Sequence, residues 1–514
     1  MTLLSQLGLP GSCFDANVHG GDEGYPEFPA PNGPHSDVPF KCEYPKLKDW
    51  SSCSTPDNRE CWLRGNIHTN YDAVWPEGIT REYFLEVDQK NINADGINNP
   101  DGKACWGDEI KLTVKNRLEF NGTTVHWHGF RQWNTTEMDG VNGVTQCPIA
   151  PEDSYIYTFR ATQYGTSCDP LIITNWNHRS AFKDWQKELV PKPDFPKMNS
   201  GKKYLLGIIN TSVDITYIFS IDNHEFTVMT TEFFGLLTLL VCLGQRYHVV
   251  LTATPNVIDD STPPDNYWIR VIPADGCKGF ETGNEPDERQ GILEYDAKNI
   301  GVPSTVRGNF PKACRDEHYD ILTPIVPWKI EPIELSALAS SQFDVGKKTR
   351  PSRPLPVDNF SWWALGEDPL WLDFADPTIL SLGNTTWNKD HVVVSKNGTA
   401  ETWVYLVVTG PPPKALLALN KRYQMHLHGH DFALLAQGTN TSELQNDQLK
   451  FDNPPRRDVV LLPTEGYIVI AFKADNPGSW LFHCHIPWHA SSGLALQILE
   501  RQDDLRSQIG SRPK

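Results

Sequence analysis

The chain has 514 residues and a formal net charge of −18, which argues against a nucleic-acid partner and sets a length prior of about three domains. Its longest apolar run, Phe233 to Gly244, is too short to cross a bilayer, so no membrane partner is expected. Proline (40), glycine (37) and tryptophan (17) are abundant; with many Thr, Val and Tyr they favour strands and turns over long helices.

Residues 1–52, rich in Gly, Pro and Asp, predict an irregular N-terminal extension. Eleven cysteines and seven Asn-x-Ser/Thr sequons (at Asn121, Asn134, Asn210, Asn359, Asn384, Asn397 and Asn440) suggest a secreted glycoprotein with disulfide bonds. The first ten residues, however, lack the basic and apolar parts of a signal peptide. Asn210 falls in a segment that reads as a buried strand.

A first domain is expected over 53–169, where alternating runs such as Glu109–Lys115 predict strands. It carries His126-Trp127-His128-Gly129 and Met138-Asp139-Gly140; Asp-Gly is by itself a common turn dipeptide. Turn signals then recur roughly every ten residues, the rhythm of β-sandwiches. A second sandwich is expected over 170–315, with Tyr204–Asn210, Tyr217–Ile221 and Tyr247–Leu251 as strands and Cys277 and Cys314 as a candidate disulfide at its far end. The third domain, 316–514, begins within a linker rich in Pro and charge (Lys312 to Pro332, then Lys347 to Val357) and contains Trp403–Val408, His426-Leu427-His428-Gly429-His430-Asp431 and His483-Cys484-His485-Ile486-Pro487-Trp488-His489.

The three His-rich runs hold eight of the sixteen histidines. Side chains alternate along a strand, so His483 and His485 point one way and Cys484 the other. One segment can then serve two metal centres back to back. A thiolate with imidazoles is the donor set of electron-transfer copper sites, whereas zinc sites rarely place histidines on both sides of a single cysteine.

With the text Cys53–Trp62, Gly140-Val-Asn-Gly-Val-Thr-Gln-Cys147-Pro148-Ile149, Gly244-Gln-Arg-Tyr-His248 and Asn453-Pro-Pro-Arg-Arg-Asp458, these runs resemble the multicopper oxidases, in particular the ascomycete-type fungal laccases. The resemblance implies an all-β chain of three consecutive cupredoxin-like Greek-key sandwiches, the first truncated. It implies a secreted monomer of the lignin-degrading type, taking single electrons from phenols or aromatic amines and reducing O2 to water. It pairs Cys53 with Cys61. Carried over by motif, Cys484, His426 and His489 form the type 1 copper site, with the non-donating Leu494 in the axial place. His126 and His428 hold the type 2 copper, and His128, His430, His483 and His485 the type 3 pair. His489 is the electron entry point, Cys484 the link onward, and Asp139 an acid beside the cluster. Asp431 and Asp458 are candidate acceptors for metal-bound imidazoles, although Asp458 can instead pair with Arg456 or Arg457.

The chain also departs from that family. Gln163-Tyr164-Gly165-Thr166-Ser167 is followed by Cys168-Asp169-Pro170, where relatives carry a second His-x-His pair for the type 3 coppers. His178 is a poor substitute, and Asn175 stands about where relatives have an acidic substrate-binding residue. Phe233 to Cys242 replaces text that is polar in relatives, and Lys514 precedes their C-terminal cysteine and plug. Cys13, Cys42, Cys105, Cys147, Cys168 and Cys242 have no evident partners. Two readings therefore stand: a laccase-like oxidase, with ferroxidase or ascorbate oxidase as variants, or a type-1-only, inactive paralogue or mis-spliced product.

Overall fold

The computed structural model of the chain describes residues 43–46, 68–88, 104–163, 170–173, 198–212, 215–228, 235–255, 266–277, 289–295, 303–317, 322–348, 362–411 and 422–510. Most of the 1–52 extension, Cys53, Cys61, Cys168, Asn175 and His178 lie outside these residues.

Strands dominate, in three groups along the chain. The first is a three-stranded sheet of Thr80–Val87, Glu109–Asn116 and Ser154–Arg160. Glu109–Asn116 alternates as its sequence predicts, burying Ile110, Leu112 and Val114. Against this face pack Val125, Tyr157 and Phe159.

The second group has a five-stranded and a four-stranded sheet. Their facing side chains, Ile208, Val249 and Leu251 from one and Phe219, Leu239 and Val271 from the other, close a single core. The apolar stretch after Phe233 supplies two of these strands, Gly235–Leu236 and Thr238–Val241, the latter paired with Tyr217–Ile221. Asp222 and Arg270 form a buried two-pronged ion pair, 2.8 and 2.7 Å, that ties the end of Tyr217–Ile221 to the middle of Asn266–Pro273. Cys277 and Cys314 are bonded to each other, and Cys105 is disulfide-bonded as well, against the expectation that it has no partner. Cys147 and Cys242 are free thiols. Asn210 is buried, and its side-chain amide donates to the carbonyls of Ile215 and Val241 at 2.9 and 2.8 Å, which leaves no room for a glycan.

The third group pairs a six-stranded with a five-stranded sheet around the largest core, from Val345 and Leu406 to Trp480, Phe482 and Leu496. In the five-stranded sheet, Tyr423–Leu427 runs antiparallel to Gly478–Cys484, with Met425 opposite Cys484 and His426 opposite His483. Opposed residues of a ladder project to the same face. That register decides the layout of the site.

Candidate metal centre

One face of this strand pair collects histidines. His426 and His483 come from the ladder, His428 and His485 from the residues just past the strand ends. His126 and His128 arrive from the first group, on a loop after the Thr123–Ile149 bridge. The loop keeps strand-like alternation: Trp127 packs against Tyr157 and Phe159, at 5.4 and 5.2 Å between ring centroids, so the imidazoles on either side point away. The rings of His126 and His428 stack at 3.8 Å, those of His128 and His426 at 4.1 Å. His128 lies 4.8 Å from His485, and the Nε2 atoms of His428 and His483 are 3.0 Å apart.

Hydrogen bonds preset the tautomers. Nδ1 of His126 donates to the Asp139 carbonyl and Nδ1 of His426 to that of Asp458, both at 2.8 Å, and Nδ1 of His483 to that of Cys484 at 2.9 Å. Nδ1 of His428 donates to the Asp139 carboxylate at 2.8 Å. Each such ring turns an unprotonated Nε2 inward, the state a metal requires. Nε2 of His126, His128 and His426 and both ring nitrogens of His485 are buried with no hydrogen-bond partner among the described residues. Burial, followed by the neighbouring imidazoles, holds His128, His426 and His483 well below the usual histidine range; the same causes bring His428 down to about 4 and His485 to about 3. Six converging imidazoles, four of them with orphaned nitrogens, fit a copper cluster, because a bound cation would satisfy the inward lone pairs that the Nδ1 hydrogen bonds of His126, His426, His428 and His483 leave on Nε2.

Asp139 is fully buried and grips two of the rings. Burial alone would raise its carboxyl, but His428 and His126 outweigh that and hold it below the usual carboxylate range. An Asp139→Asn variant should lower copper affinity about 10- to 100-fold, because an amide presents one of these rings with a donor instead of an acceptor. Chelator competition measures this.

Gly244, with φ at +73°, closes the cluster from the second group. A Cβ there would lie 2.6 Å from His485 Nε2 and 2.9 Å from His128 Nε2. Gly244→Ala should therefore cost about 1–3 kcal/mol in backbone strain and reduce the copper retained per chain, read by a denaturation midpoint and metal analysis.

On the opposite face of the ladder sit Cys484 and, 3.5 Å from its Sγ, Nδ1 of His489. Pro487, at the first position of the short helix Pro487–Ser491, starts the turn that carries His489 back over the cysteine. Leu494 joins the same core, and its carbonyl accepts from the Cys484 N–H at 3.0 Å. The rings of Trp363 and Tyr423 flank His489 at 4.8 and 5.5 Å. Burial, with the Cys484 sulfur nearby, pushes the Tyr423 phenol up.

Four expectations need correction. His426, assigned to Cys484, faces away from it and into the histidine cluster, because it shares a face with His483 and not with Met425. His430, expected as a type 3 ligand, leaves the cluster: the chain turns at Gly429 (φ +69°), whose Cβ would strike the Trp480 ring at 2.4 Å, and His430 Nε2 ends 2.7 Å from Glu500. Asp431 meets Arg456 and Tyr71, each at 3.0 Å, instead of an imidazole. Asp458 pairs with neither Arg456 nor Arg457 but with Arg246 at 2.6 Å, and that guanidinium also reaches His128 Nδ1 at 3.2 Å. The run Gly244–His248 contains Gly244 and Arg246 without showing that they meet the cluster, and no quoted motif contains Tyr423. The i, i+2 spacing of His426 and His428 did carry a signal for the placement of His426, since two residues of one strand face cannot serve both sides of the sheet.

Three segments match family models described as multicopper oxidase: residues 84–168, 177–296 and 367–504. The chain is 38% identical to a laccase of Arthroderma benhamiae, over 92% of this chain and 87% of that protein. It is 34% identical to Laccase-2 of Botryotinia fuckeliana, over 90% and 89%. The crystal structure of the laccase from Botrytis aclada superposes with a TM-score of 0.72 at 31% identity, covering 90% of this chain and 95% of that one.

Proposed function

The chain belongs to the multicopper oxidase family and is a laccase-like copper oxidoreductase, and we propose that it takes single electrons from phenols or aromatic amines and passes them to O2. Bound copper supplies the one-electron redox chemistry and the place where O2 is reduced. The protein supplies the arrangement. The observation that carries the reading is the division of one strand pair into two faces, Cys484 with His489 on one and six imidazoles on the other. Cys484 is covalently joined to His483 and His485, so the thiolate centre and the cluster are linked through a single residue's backbone.

Trp488, 36% exposed beside the buried His489, marks where an aromatic substrate approaches the thiolate centre. His126, His128, His426, His428, His483 and His485 hold the cluster, while Asp139 fixes two of its rings and keeps a carboxylate within it. No helix among the described residues is long and apolar enough to cross a membrane. Secretion, suggested by the exposed sequons at Asn134, Asn384, Asn397 and Asn440, belongs to the same proposal.

The test is oxygen uptake by copper-loaded protein with a simple phenol, followed beside its absorption spectrum. A visible thiolate-to-copper band with phenol-dependent uptake supports the oxidase. The band without uptake would assign the chain to the non-enzymatic reading.

A further inference from the structure

We propose that the Tyr423 hydroxyl is the third protein donor of the centre that holds Cys484 and His489, giving a thiolate–imidazole–phenolate set. The inference rests on the reading of Cys484 and His489 as a copper site. Three observations support it. Tyr423 stands two residues before Met425, the residue opposite Cys484, and so on the Cys484 face of the strand. Its ring lies 5.5 Å from that of His489 and 5.7 Å from that of Trp363, inside the core that also contains Cys484 and Leu494. Its hydroxyl is buried with no hydrogen-bond partner among the described residues.

An orphaned buried hydroxyl is unfavourable, and buried tyrosines ordinarily find a partner for that oxygen. The neighbouring Trp363 offers aromatic surface, and Leu494 and Phe482 of the same core are aliphatic and aromatic. Met425 offers a thioether, which at thiolate copper centres is a weak, long donor. With His426 on the other face, the phenol oxygen is the strong donor that the described residues of this core offer beside Cys484 and His489. On coordination, the oxygen–copper bond forms as the O–H proton leaves to solvent, with no change in oxidation state.

Resonance Raman spectroscopy of the copper-loaded full chain tests this. The expected spectrum contains phenolate ring modes together with the copper–sulfur stretch, and the ring modes shift when the protein is grown on ring-deuterated tyrosine. In Tyr423→Phe the phenolate modes vanish while the copper–sulfur stretch persists. In Tyr423→His they vanish and the spectrum becomes that of a two-imidazole blue centre. A native spectrum with the copper–sulfur stretch and no label-sensitive ring modes overturns the proposal while leaving the copper site in place. Absence of both features overturns the copper-site reading and the tyrosine role with it. The isotope measurement needs no variant, so a misfolded Tyr423→Phe does not blunt the test.

Discussion

Cys484→Ser should abolish the visible thiolate band and lower phenol-driven oxygen uptake by more than about a hundredfold, beyond the range expected for losing an outer partner of a metal ligand. Serine keeps nearly the volume of cysteine, and the site is fully buried in the largest core, so the fold should survive the exchange. What goes is the soft donor that selects copper and makes the centre redox-active. The histidine cluster lies on the other face, and its rings are held by Asp139, by the Asp458 carbonyl and by the carbonyl of residue 484, which a side-chain change leaves alone. Copper bound by the six imidazoles should therefore remain, so the variant should be metal-containing but colourless and inactive. Absorption, oxygen uptake and metal analysis on one preparation read all three. A variant that kept the visible band would show that the sulfur is not its source.

Much of this architecture is legible in the chain. The alternation of Glu109–Asn116 and the apolar lead-in to Cys484 mark strands because a half-buried or buried sheet demands that pattern locally. The back-to-back arrangement around Cys484 follows from the same two-residue period. What the sequence hides is what depends on neighbours distant along the chain. The register that sets Met425 opposite Cys484 is a long-range pairing, and a shift of one residue would exchange the two faces. His430 continues the histidine spacing along the chain, but the left-handed turn at Gly429 breaks it in space. Arg246 and Gly244 come from the second group and reach the cluster only through tertiary packing. The apolar run at Phe233–Cys242, unlike relatives in its text, still forms a sandwich strand over Thr238–Val241, since burial against Tyr217–Ile221 asks only for apolar side chains.

His426→Ala separates the two assignments of that residue. If His426 served Cys484, its removal would bleach or shift the visible band while leaving the cluster intact. The geometry gives the opposite expectation. The His426 ring stacks 4.1 Å from His128 and lies 4.8 Å from His428, with its unpartnered Nε2 among the other inward nitrogens. Opposite it in the ladder stands His483, and both project away from the sulfur. Losing this ring removes a donor from the cluster and deletes a fully packed side chain, at a cost of about 1–3 kcal/mol. The variant should hold less copper than the native chain and lose phenol-driven oxygen uptake by more than about a hundredfold, again exceeding the loss of an outer partner. Its thiolate band should stay at the native wavelength, because Cys484, His489 and Tyr423 are untouched on the far side of the strand. Loss of that band with copper in the cluster unchanged would return His426 to the cysteine and require the Tyr423–Leu427 strand to pair one residue out of the register described.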